Sequence, residues 1–197
     1  MIKDAALVVV DILYDFIDGS MACAEAETAV RKTLQWIEKQ AAPAAPDEEL
    51  IEGAAVPVLF VCDSHPSDHS SFAAYGGPWP AHCVAGTHGA AIHEALQPWV
   101  EPDMVFRKGC DRAVEQYSGF EGRNDAGQSL AEVLEVLDIR TVYVCGIATE
   151  YCVRNTAEDL LKAGFEVRVL RDALGYVEYK GHLEALEAMK AEGIKLV

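Results

Sequence analysis

Four side chains able to do covalent chemistry sit at or just beyond the ends of short apolar runs. Asp11 lies at the end of Ala6–Ile12, Asp63 closes Val56–Asp63, and Lys108 closes Met104–Lys108. Cys152 follows Thr141–Gly146 after the turn Gly146-Ile147-Ala148-Thr149. If these runs are parallel strands, their carboxyl ends share one edge, where open α/β sheets bind ligands. Cys152 is then the candidate nucleophile. Thr149 reads as the N-cap of a helix running on through Ala157 and Leu161, which places the thiol in the first turn, where unpaired N–H groups and the helix dipole favour an anion. Lys108 nearby would lower the thiol pKa further, and thiolate is the reactive form. Asp11 could take the thiol proton and later deliver it to a leaving nitrogen. An isolated cysteine is usually an inert core residue. Asp11 and Lys108 on the same edge set Cys152 apart.

A second constellation overlaps the first. Asp63-Ser64-His65 puts a carboxylate and an imidazole two residues apart at a strand end, and His82 adds an imidazole from the long segment that follows. Two histidines and an aspartate suit one divalent metal of borderline character: zinc, manganese or iron. The bland alternatives are a turn cap at Asp63 and a loop hydrogen bond at His82. His69 is close enough to be an extra ligand or to support one. His88, His93 and His182 read as ordinary loop or surface histidines, and Cys83, next to His82 in an extended stretch, should point the other way. Whether Cys110 touches the site is open. Phe16 and Trp79 could line a flat slot for an aromatic ring, although aromatics near a site are often plain packing.

The elements that must position these groups follow from periodicity. To the four runs above are added Glu166–Asp172 and Ile194–Val197, several apolar on consecutive residues as in strands covered on both faces. Between them lie helical patterns: Val30, Leu34 and Ile37; Leu130, Val133, Leu134 and Leu137; Leu183, Leu186 and Met189. Gly164 and Gly193 sit where glycine closes a helix. The expected architecture is α/β, a three-layer doubly wound fold with a six-stranded, mainly parallel sheet and one domain over residues 1–197. Gln40–Glu49, rich in proline, alanine and acid, reads as a mobile surface loop. Ser64–His88 lacks periodicity, and an irregular stretch that long is usually functional.

Composition narrows the partners. The 197 residues carry 32 acidic against 16 basic side chains, a formal charge of −16, which disfavours nucleic acid and anionic membranes. No apolar run is long enough to span a bilayer, and Ala5–Val10 meets Asp11 without a cationic leader. The six cysteines are scattered without a CxxC pair, as expected for reduced thiols in the cytoplasm.

At these residues the chain resembles the isochorismatase-like cysteine hydrolases, and among them the nicotinamidases. The resemblance rests on VVVDILYDF, CDSHPSDHSSF, GGPWPAHCVAGTHGA, EQYSGFEG with the Lys108 region, and CGIATEYCVRNTAEDLLKAGFEV. It implies Asp11, Lys108 and Cys152 as a triad, and Asp63, His65 and His82 as ligands of one divalent metal, zinc first, with manganese or iron as alternatives. It implies a cis peptide between Ile147 and Ala148, with the Ala148 and Cys152 N–H groups aimed at an oxyanion. The implied reaction is hydrolysis of nicotinamide in NAD salvage, with Phe16 and Trp79 sandwiching the ring beside Ala148 and pyrazinamide as a second substrate. The chain departs from the family in carrying Leu13 where glutamine is usual, and in a longer Gln40–Glu49 segment. A related amidohydrolase acting on a carbamoyl or ureido compound is the rival, and the metal set counts against it. A silent scaffold would have lost a triad member. A homodimer is the expected assembly.

Overall fold

β1 (Ala5–Val10) is apolar at every position and buried throughout, the pattern of a central strand covered on both faces. In this computed structural model, which describes residues 4–41 and 56–197, β1 pairs in parallel with β2 (Val58–Asp63) on one side. On its other side it pairs with β4 (Thr141–Gly146). β3 (Val105–Lys108) extends the sheet beyond β2, and β5 (Glu166–Leu174) and β6 (Lys195–Leu196) extend it beyond β4. The order is β3-β2-β1-β4-β5-β6, and every pairing is parallel.

Because side chains alternate along a strand, β1 feeds two separate layers. Val8 and Val10 join a cluster with Leu134 of α3 (Leu130–Val136), Leu160 of α4 (Arg154–Lys162) and Met189 of α5 (Tyr179–Ala191). Leu7 and Val9 face the other way, onto α1 (Tyr14–Ile17) and onto Ala29, Val30 and Ile37 of α2 (Ala26–Ala41). Each such buried aliphatic contributes about 1.5–3 kcal/mol, so the two layers hold the sheet rigid beneath whatever its edge carries. Gly164 and Gly193 close α4 and α5 in the left-handed conformation, at φ +99° and +100°.

Some elements depart from the expected bounds. β1 stops at Val10 because Asp11 turns the backbone to φ +48°, leaving Ile12 outside the strand. β5 runs two residues past Asp172, to Leu174. On α5 the buried stripe is Ala185, Leu186 and Met189, while Leu183 is exposed. Gln40 and Ala41 finish α2 instead of opening a loop, and residues 42–49 lie outside the described residues. Among the described residues no helix is long and apolar enough to cross a membrane.

Strand order reverses between β1 and β4, since β2 and β3 lie to one side of β1 and β4 to β6 to the other. That switch point opens a crevice at the carboxyl ends of the strands. The irregular stretch after β2 folds over it, anchored by Phe72 and Leu96 in the core and by a bridge between His65 and Val84.

Candidate active site at the carboxyl edge of the sheet

Asp11, Asp63 and Lys108, at or just past the ends of β1, β2 and β3, meet Cys152 from the turn beyond β4 in the crevice, all buried. Asp11 is fixed by its neighbour strand: its Oδ1 accepts the Asp63 N–H at 2.8 Å, and its Oδ2 lies 3.0 Å from Lys108 Nζ without a directed hydrogen bond. Lys108 donates to Asp63 Oδ1 and to Cys152 Sγ, the latter at 3.4 Å. One ammonium therefore touches both carboxylates and the sulfur.

Burial sets the charges here. It pushes Asp11 up, the nearby Asp63 adds to this, and Lys108 opposes, leaving Asp11 at about 6. Burial would raise Asp63 too, but the Lys108 ammonium outweighs it and holds that carboxyl well below the usual range. Burial alone would lower Lys108, but Asp11 and Asp63 more than reverse that, so it stays protonated. Burial pushes Cys152 well above an ordinary thiol, and Lys108 offsets only part of it. This corrects the expectation of a depressed thiol: near neutral pH the resting group is the thiol, beside an ionised Asp11 able to accept its proton.

The local backbone of Cys152 also differs from expectation. The residue lies in a π-helical turn, Thr149–Val153, that leads into α4. Thr149 is not its cap, because its Oγ1 donates to Gly175 O at 2.9 Å. The Ile147–Ala148 peptide is cis, as the resemblance implied. Among the described residues the Ala148 N–H donates to no carbonyl or side chain. Leu13 is fully buried beside Asp11 and bridges to Ile92, so no side-chain hydrogen bond stands in that place.

Asp63, His65 and His82 offer ligand atoms that all lie within 4.8 Å of one another. His65 donates from Nδ1 to Gly109 O at 2.9 Å, and His82 from Nδ1 to Pro80 O at 2.7 Å. Each carbonyl can only accept, so both rings are fixed with Nε2 as the lone-pair nitrogen, the arrangement metal-binding histidines use. His65 Nε2 is buried without a hydrogen-bond partner, and burial holds His82 below an ordinary histidine, hence neutral. Two buried carboxylates also face a single ammonium, a deficit that a cation offsets. The donor set fits one divalent metal. His69 does not belong to it: its Nδ1 engages Ser71 Oγ at 2.7 Å and its Nε2 Val114 O at 3.2 Å.

Above these groups lies a pocket lined by Phe16, Trp79, His82, Ala148 and Cys152. Phe16 sits 5.5 Å from the His82 ring, and Trp79 meets Tyr151 edge-on at 5.3 Å while its Nε1 donates to Tyr117 Oη. Met21, Cys23, Glu115, Tyr117, Tyr151 and Val177 also line it, and nothing in their spacing marked them. Tyr117 lies in the EQYSGFEG block and Tyr151 beside the nucleophile, the one signal available. Cys83 is buried in the core and Cys110 is exposed outside the pocket. His182 is not a plain surface residue, since its Nδ1 lies 2.9 Å from Thr149 Oγ1.

The isochorismatase domain family matches residues 5–197. A nicotinamidase/pyrazinamidase from Mycobacterium tuberculosis is 35% identical over 196 residues, covering 98% of this chain and 97% of that protein. Among solved structures, a pyrazinamidase of Pyrococcus horikoshii in complex with zinc superposes with a TM-score of 0.82 at 38% identity, covering 99% of each chain. A protein from L. infantum in complex with nicotinate gives 0.80 at 30% identity, covering 98% of this chain and 91% of the other.

Proposed function

The chain belongs to the isochorismatase family, and from that premise we propose that it is a nicotinamidase, one cysteine hydrolase domain over residues 1–197 that converts nicotinamide and water to nicotinate and ammonia. The observation that carries the reading is the buried contact of Lys108 with Asp11, Asp63 and Cys152 at the floor of a pocket lined by Phe16 and Trp79.

In this mechanism Phe16 and Trp79 hold the pyridine ring, which orients the carboxamide over Cys152. As Sγ bonds to the carboxamide carbon, its proton passes to Asp11 and the carbonyl electrons move onto oxygen. Lys108 stabilises the sulfur anion during the transfer, and the Ala148 and Cys152 N–H groups face the developing oxyanion. Asp11 then protonates the leaving nitrogen, the C–N bond breaks and ammonia departs. Water next attacks the thioester and gives a proton to Asp11, which returns it to sulfur as nicotinate leaves. Asp63, His65 and His82 would hold one divalent ion, zinc in this reading, which supplies a Lewis-acid site for the ring nitrogen.

Pyrazinamide, with the same ring outline, is the expected second substrate. The acidic surface fits a cytoplasmic enzyme acting on a free small molecule, without nucleic acid or membrane as partner, and we expect a homodimer. The test is ammonia release from nicotinamide, with Cys152→Ala as control and metal content measured on the same samples. Release by the native chain that vanishes in the variant, at equal metal content, is the expected result. A folded, metal-loaded native chain that releases no ammonia would overturn the reading in favour of carbamoyl or ureido substrates.

A further inference from the structure

Two residues before the nucleophile, Glu150 does something the hydrolysis itself does not require. Its Oε1 accepts two backbone N–H groups at once, from Val177 at 2.9 Å and from Glu178 at 2.7 Å. Its Oε2 is buried without a partner, so the carboxylate is aimed inward at this turn. Thr149 reinforces the tie, since both its N–H and its Oγ1 donate to Gly175 O at 2.9 Å. The segment between β5 and α5 is thus fastened to the turn that carries Cys152.

That segment forms part of the pocket wall. Val177 lines the pocket, and Tyr176 exchanges both backbone hydrogen bonds with Ala24, at 2.9 and 3.0 Å. The Ala24 pairing brings in the stretch that supplies Met21 and Cys23 to the same pocket. Two wall segments far apart in sequence therefore hang together, and Glu150 fixes them to the nucleophile turn.

We propose that Glu150 is a positioning residue that sets the width of the ring slot by holding Val177 against the pocket, and so determines how large a substituted pyridine carboxamide the enzyme accepts. The inference rests on the nicotinamidase reading. An apolar pocket discriminates one added methyl by about 10–200-fold in kcat/KM. The native chain should therefore strongly prefer nicotinamide over ring-methylated nicotinamides.

The experiment measures kcat/KM for nicotinamide and for a set of ring-methylated nicotinamides in the native chain and in Glu150→Ala, Glu150→Asp, Glu150→Gln and Val177→Ala. Loss of the tie should narrow the preference for the unsubstituted ring by about 10-fold for at least one methylated amide. Glu150→Asp, too short to reach, should show the same shift and carries the test if Glu150→Ala does not fold. Val177→Ala should reproduce the shift with Glu150 intact, and Glu150→Gln, which keeps an acceptor oxygen, should retain the native ratio. A merely structural role would lower turnover of all amides by one factor, and that result in Glu150→Asp and Val177→Ala overturns the proposal. Binding of the same amides, read by tryptophan fluorescence, separates the two failures. A native chain that binds but never turns over nicotinamide sinks the functional reading, whereas turnover with an unchanged ratio sinks only the role of Glu150.

Discussion

Lys108→Met removes the ammonium from between Asp11, Asp63 and Cys152 while keeping most of the apolar stem. All of these groups are buried, so the loss is not cushioned by solvent. Removing one partner of a buried ion pair costs about 3–5 kcal/mol, because the remaining charge is left unpaired. Asp11 decides where in that range the loss falls. Already at about 6, it can take up a proton when Lys108 is gone and so relieve part of the repulsion with Asp63. The cost should therefore lie near 3 kcal/mol at mildly acid pH, a fall in Tm of roughly 6–12 °C for a chain of this size. The sign with pH follows: a carboxyl whose folded pKa is raised contributes stability that is present at low pH and lost as pH rises through that pKa. The deficit of Lys108→Met should grow from pH 5 to pH 8. The assay is thermal and urea unfolding across that range, with metal stripped from both proteins. The double variant Asp11→Asn/Lys108→Met should lose less than the sum of its parts, by about 0.5–3 kcal/mol. Additive losses that do not vary with pH would refute this account of the site.

Two further predictions concern its chemistry. Asp11 must be ionised to accept the thiol proton, and a bound cation can only lower its pKa. In the metal-saturated enzyme kcat/KM for nicotinamide should be level near neutrality and fall at or below pH 6, while a limb centred above pH 7 would assign the acceptor elsewhere. Gly109 sits at φ +66°, with an added Cβ only 2.3 Å from His65 Cε1. Gly109→Ala should push the ring away from its carbonyl and weaken metal by about 10–100-fold in a chelator competition, and native affinity in that variant would show that His65 is not a ligand.

The reacting groups were legible because each follows an apolar run, and runs such as Thr141–Gly146 have their ends marked by glycine or charge. What sequence could not supply was burial. The helix-start position of Cys152 and a neighbouring lysine argued for a lowered thiol pKa, yet full desolvation reverses the direction. Thr149 matched the residue type of a cap, but its hydroxyl is taken by Gly175, which lies 26 residues away and is invisible to local pattern. Leu183 fitted the apolar spacing of α5 and still faces outward, because the helix buries Ala185 instead. The pocket walls at Val177, Tyr117 and Cys23 come from turns with no periodicity, so only the folded chain reveals them.

The wholly parallel sheet has a consequence for how the enzyme comes into being. Parallel neighbours cannot be joined by a tight hairpin, so every seam waits on a crossover, and such non-local pairing is intrinsically slow. Val9 must find Phe60 on one side and Cys145 on the other before Asp11 and Cys152 face each other. No two adjoining stretches of chain can assemble the reacting groups alone. During refolding, helical signal should return early and catalytic competence last, with closure of the seam between β1 and β4, which makes turnover a timer for the final long-range step of folding.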